Sequence, residues 1–193
     1  MALRIEDGGG TGRQVQVTDE FQLKVVSENH ELQHHESLTN GEAYQVIGDF
    51  AAVNNSTHAV LHLKNDDTTK LLVVSFIRVQ LLNVSGGTAL PDPGNRFEIG
   101  FGRTVSSGGT AVTPVNMNTT SGNTASVTAT DNNHTMAGTF TEFDRWYPDS
   151  GESMMTFNKQ GSLILGQDDT LEVRVVSDHT AGTAYARVTF MMI

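Results

Sequence analysis

The chain contains no cysteine, which removes disulfides, thiolate zinc sites and a cysteine nucleophile together. It is also short of cations. Twelve lysines and arginines stand against 22 aspartates and glutamates, a net charge of −10, and the basic residues run from Arg4 to Arg187 without gathering into a patch. A phosphate-binding surface works by clustering cations that release counterions, so no nucleic acid is expected as a partner. No membrane is expected either, because an anionic bilayer would repel such a chain. No stretch approaches the ~18 apolar residues of a spanning helix, and the opening MALRIEDGGGTGRQ lacks the apolar segment of a secretory signal. The expectation is a product that stays where it is made, in a cell interior or in a particle assembled there. Nor does any segment hold an apolar repeat of 3.6 residues over about ten positions, so amphipathic helices are missing.

What is present is strand patterning separated by turn residues. His58 to Val84 reads as two strands joined by a polar turn at Asn65 to Thr69. In the second strand Leu71, Val73, Ile77, Val79 and Leu81 share one face by period two, which makes that face the expected core. Leu72, Val74 and Phe76 make the opposite face apolar as well, so that half of the strand either lies between two layers or meets another subunit.

Residues 1–13 combine Leu3, Ile5 and the flanking cations Arg4 and Arg13 with Gly8-Gly9-Gly10-Thr11-Gly12, and read as a flexible N-terminal arm. Two short strands are predicted over Gln14 to Ser27. A hairpin turning at Asn40-Gly41 then joins His30–Leu38 to Ala43–Phe50. Gly86-Gly87 and Pro91-Asp92-Pro93-Gly94 specify a rigid loop before a strand over Arg96 to Val105, where Phe97, Ile99 and Phe101 face one way. Gly100 and Gly102 opposite them mark a bulge or a close backbone approach. Residues 104–139, rich in Ser, Thr, Gly and Asn, read as an excursion that leaves at Gly108-Gly109 and rejoins near Gly138. Strands follow at Met154–Phe157, Ser162–Leu165, Leu171–Val176 and Ala184–Ile193. Some ten short strands with regular turns predict an all-β fold, a jelly-roll-like β-sandwich over residues 14–193 with the flexible arm before it.

Chemistry is harder to find. His30, His34 and His35 are the one histidine cluster, but His34 and His35 point to opposite faces of a strand and no third ligand has recognisable spacing. Asp66-Asp67, Asp131-Asn132-Asn133 and Asp168-Asp169 are oxygen-rich turns without the spacing of a calcium loop. There is no Gly-x-Ser-x-Gly elbow, and Gly10-Thr11-Gly12 and Gly100-Phe101-Gly102 lack the third glycine of a nucleotide fingerprint. A carboxylate pair for glycoside hydrolysis stays open, since its separation is set by the fold. No catalytic, cofactor-binding or metal-ligating residue is assigned, and a non-enzymatic protein is expected. Phe140, Phe143, Trp146 and Tyr147 crowd aromatics beside charges. Such a group either closes one end of a barrel or offers Trp146 and Tyr147 for recognition.

Gly108-Gly109-Thr110-Ala111-Val112-Thr113-Pro114-Val115-Asn116-Met117-Asn118, the Gly-rich N-terminus, Gly161-Ser162-Leu163-Ile164-Leu165 and His35-Glu36-Ser37-Leu38-Thr39-Asn40-Gly41-Glu42-Ala43-Tyr44 together resemble virion proteins of tailed bacteriophages. Within that group the chain resembles small jelly-roll proteins that decorate or cement the capsid exterior. The resemblance implies a homotrimer bound to the major capsid protein, placed on the virion exterior and assembled in the host cytoplasm. Leu3, Arg4, Ile5, Arg13, Leu72, Val74 and Phe76 are the expected interface residues. The alternative it implies is a receptor- or glycan-binding domain of a fibre or knob that uses Trp146 and Tyr147.

Overall fold

The computed structural model describes residues 36–50, 53–149 and 153–193. The arm with Leu3, Arg4, Ile5 and Arg13, the strands expected over residues 14–27, and His30, His34 and His35 lie outside the described residues.

Among the described residues eleven strands are formed: β1 (Ala43–Phe50), β2 (Ser56–Asn65), β3 (Leu72–Ser85), β4 (Arg96–Ser107), β5 (Thr110–Val112), β6 (Val115–Asn116), β7 (Val127–Asp131), β8 (Thr135–Trp146), β9 (Met154–Leu165), β10 (Thr170–Ser177) and β11 (Ala181–Met192). They form two antiparallel sheets, ordered β6-β1-β11-β3-β9 and β5-β7-β2-β10-β4-β8. Without β5 to β7 the orders become β1-β11-β3-β9 and β2-β10-β4-β8. The chain changes sheet at every step except β4 to β8, and this is the strand order of an eight-stranded jelly roll.

The excursion supplies β5, β6 and β7. It leaves at Gly108 and Gly109, both with positive φ of 72° and 77°, and rejoins at Thr135, earlier than expected. β7 pairs with β2 and carries β5 beyond it, while β6 pairs with β1, so one insertion extends both sheets along one side of the sandwich. Edge strands otherwise present unpaired backbone groups to any neighbouring chain.

The core lies between the sheets. Tyr44 stacks on Phe190 with ring centroids 5.7 Å apart, and Leu61, Leu63, Ile77, Val79, Phe97, Ile99, Val173 and Val188 fill the space around them. Leu72 and Val74 are fully buried in this core as well, whereas Leu71 is exposed and Val73 packs separately with Ala43 and Met191. The inward face of β3 therefore differs from the expected one in its first half. Val74 pairs with Leu163 and Phe76 with Asn158, leaving Ser75 against the four residues 159–162. On the other side, Val74 and Phe76 pair with consecutive residues, Phe190 and Thr189. A bulge at Ser75 thus switches the parity, so that Leu72 and Val74 point inward together with Ile77, Val79 and Leu81.

Three further expectations change. Asn40-Gly41 closes a π-helical turn, Glu36–Asn40, instead of a hairpin. Gly41 has φ of 64°, and the Glu42 N–H reaches back to the Glu36 carbonyl at 3.0 Å. Positive φ at a glycine serves a helix end as well as a type I′ turn. The two strands expected over 154–165 are one, β9, with residues 159–162 forming its irregularity. The aromatics of β8 line the side of the sandwich: Trp146 stacks on Phe97 (6.0 Å) and Phe143 on Phe101 (5.5 Å).

Candidate functional site

The outer face of the six-stranded sheet holds a concentration of buried charge. Leu171, Val173 and Val175 of β10 enter the core, so Glu172 and Arg174 between them point outward by period two. His62 on β2 lies directly opposite Glu172, and Glu98 on β4 lies opposite Arg174. An outward face would ordinarily be wet, yet His62, Glu98 and Glu172 are at most 2% exposed.

The cover comes from the β4–β8 hairpin. β4 pairs with β10 only over Arg96–Gly100, and beyond that it stays with β8 alone. Register shifts at Ile99/Gly100 and Phe101/Arg103, with positive φ at Gly102 and Gly138, bend the hairpin back over the sheet. The Arg103 carbonyl consequently accepts a hydrogen bond from His62 Nε2 at 3.1 Å, although β10 separates their strands in the sheet. Gly100 permits the crossing. A Cβ there would lie 2.4 Å from the Thr141 carbonyl oxygen and 2.6 Å from Phe140 Cζ.

Under this cover two ion-paired groups form. Arg96 Nε (2.5 Å) and Arg174 Nε (2.6 Å) donate to the two oxygens of Glu98, and the Arg174 guanidinium lies 3.6 Å from the Phe140 ring centre. Burial pushes the Glu98 carboxyl up, but the hydrogen bonds from Arg174 and Arg96 outweigh it and hold the group below its ordinary range. Arg103 Nη1 donates to Glu172 Oε1 over a longer 3.3 Å, and there burial wins: the Glu172 carboxyl is raised despite Arg103 and Arg174. His134 is 3% exposed and sits edge-on to His62 with centroids 5.8 Å apart. Burial pushes both imidazoles down, that of His62 to about 4, so both are neutral at pH 7.

A cavity of about 420 Å³ opens beside these groups, lined by Thr57, Ala59, Arg103, Asn133, His134, Thr135, Met136, Glu172 and Arg174. Three atoms of its lining residues, Arg103 Nε, His134 Nε2 and Glu172 Oε2, are buried without a hydrogen-bond partner, as is Nδ1 of His62, which pairs across the sheet with Glu172. Sequence reading missed this group because alternating polar residues on β2 and β10 look like a solvated face. The one signal was the pair Gly100 and Gly102, which marked a close approach without saying what it covered.

The residues singled out from sequence lie elsewhere. Leu72 and Val74 face the core and Phe76 is half-buried on the outer face of the other sheet. Trp146 is half-buried against Phe97, and Tyr147, 41% exposed, accepts a hydrogen bond from Arg145 Nη1 at 3.0 Å. Asp66 binds Lys64 (3.0 Å) and Thr128 (2.6 Å), Asp67 caps the turn at Thr69, and Asp168 also pairs with Lys64 (2.6 Å). Asp131 is buried and accepts from the Asp49 N–H. Among the described residues no group of three or more His, Asp or Glu is placed to hold a metal ion, and no helix is long and apolar enough to cross a membrane.

The jelly-roll strand order places the chain among all-β sandwich proteins. No family model, curated protein or solved structure matches it.

Proposed function

We propose that the protein is a non-enzymatic structural component of a bacteriophage virion, a decoration or cement protein that binds the outer capsid shell at subunit junctions as a homotrimer. The observation that carries this reading is an apolar row across the outer face of the five-stranded sheet. The Met117 N–H bonds to the Ala43 carbonyl (2.8 Å), and Ala43 pairs with Met191, Met191 with Val73, and Val73 with Ile164. Ala43, Val73 and Met191 form a buried cluster apart from the main core, while Met117 and Ile164 at its two ends are 45% and 50% exposed. Leu71 and Ile193, hydrogen-bonded to each other through their backbones, add two more exposed apolar side chains. Large apolar side chains exposed on one sheet face are a usual mark of a protein–protein contact, and symmetry multiplies weak contacts into avidity. Ile164 and Met117, both exposed, take the contact role expected of Leu72 and Val74, which support the sheet from within.

The test is the solution mass by light scattering, followed by mixing with undecorated capsids and counting bound copies. A trimer that binds stoichiometrically and raises the temperature of shell rupture is expected. Met117→Asp with Ile164→Asp should reduce the bound copies at least tenfold while leaving circular dichroism unchanged; full binding by that double variant would sink the assignment of this face. Deletion of residues 1–12 separates the arm's contribution, which fails if binding and rupture temperature stay as they were.

A further inference from the structure

We infer that the cavity under the β4–β8 hairpin is a carbohydrate-binding subsite that takes one neutral pyranose unit through its hydroxyl groups. The argument starts from which buried atoms lack partners. His62 Nε2 faces the Arg103 carbonyl and His134 Nδ1 faces the Asp131 carbonyl, so in each ring that nitrogen carries the proton and the other presents a bare lone pair. Of the five orphaned atoms among the described residues, the lining of the cavity holds two acceptors, His134 Nε2 and Glu172 Oε2, and one donor, Arg103 Nε; His62 Nδ1 and Asp131 Oδ1, both acceptors, belong to residues outside that lining. Groups buried without partners are costly, and His62, His134 and Glu172 are each more than nine-tenths buried.

The chemistry of the set selects the ligand. A small anion would meet mostly acceptors, and the guanidinium groups of Arg103 and Arg174 are already held by Glu172 and Glu98. A cation would meet those same guanidinium groups. A hydroxyl both donates and accepts, so adjacent hydroxyls can give protons to Glu172 and His134 while another accepts from Arg103. Thr57, Asn133 and Thr135 at the mouth offer further donors and acceptors. The volume of about 420 Å³ lies within the usual range for small-ligand sites and would otherwise hold roughly a dozen waters. The cavity belongs to the six-stranded sheet and the apolar row to the five-stranded one, so this inference stands independently of the assembly role.

The test is a 1H–15N shift titration of the full chain with D-glucose, D-galactose, D-mannose, N-acetyl-D-glucosamine and N-acetyl-D-galactosamine. At least one sugar is expected to shift the amides of Thr57, Asn133 and Thr135 saturably, and Glu172→Gln should weaken that binding about tenfold. Because Glu172 is buried and ion-paired, Thr57→Trp provides a second variant that fills the exposed rim and leaves the buried charges alone; it should abolish the shifts with an unchanged melting temperature. No saturable shift with any of the five sugars would show that the cavity holds water only and would overturn the inference. So would shifts that survive in Thr57→Trp.

Discussion

Asn95, fully buried, shows how much one side chain can fasten. Its Oδ1 accepts from Ser177 Oγ (2.8 Å), His179 Nδ1 (2.8 Å) and the Asp178 N–H (3.1 Å), and its Nδ2 donates to Asp178 (2.6 Å) and Asp92 (3.3 Å). Asn95→Ala strands several of these partners and should cost about 3 kcal/mol, read as a lower urea midpoint with an unchanged slope. His62 sets a pH dependence. Burial holds it at about 4 in the folded chain against an ordinary 6.5, so between those values the unfolded chain binds a proton that the folded chain refuses. Stability therefore falls as pH drops through that window, by about 3 kcal/mol in full. Glu172 and Asp131, raised by burial, act in the opposite sense, losing stability as pH rises above their unfolded values. Comparing urea midpoints of wild type and His62→Gln across the window isolates the histidine, and equal slopes would refute its role. Neither effect was legible in the sequence, where Asn95 was one more loop residue and His62 one more polar position on a strand.

At the scale of elements, period two located β1 to β4, β10 and β11 to within a few residues, because each alternates or is bounded by turn residues. It failed inside β3 for a physical reason. Leu72, Val73 and Val74 are all apolar, so neither parity is excluded by polarity, and the bulge at Ser75 is fixed by pairing with β9 and β11. The glycines of β4 were legible as a close approach or a bulge, and the hairpin provides both at Gly100. Gly100→Ala places a methyl group against the Thr141 carbonyl, a backbone atom that cannot rotate aside. It should destabilise the fold by about 2 kcal/mol and perturb His62 and Arg103, seen as new shifts of the His62 ring protons. A neutral outcome would mean that the hairpin crosses more loosely.

For the whole molecule, the β-sandwich was legible from strand number and turn spacing, whereas the route of the excursion was not. Thr, Ser and Asn between Thr113 and Ser126 fix no partner, and the pairing of β6 with β1 and β7 with β2 depends on residues far away in sequence. Replacing residues 113–126 by a short Gly-Ser linker should expose the β1 edge and shift the mass in solution from one defined species to a broad distribution by light scattering. The same strand order governs how the protein is made. β11 occupies the middle of the five-stranded sheet, where β1 and β3 both pair with it, so the pairing of Ala43 with Met191 waits for the last strand. Until β11 has left the ribosome, half of the sandwich has two strands waiting on either side of a gap, with Tyr44, Leu72 and Val74 uncovered. Synthesis therefore leaves the inner face of this sheet open until its last strand emerges, and chaperones that bind extended apolar strands have that interval in which to act.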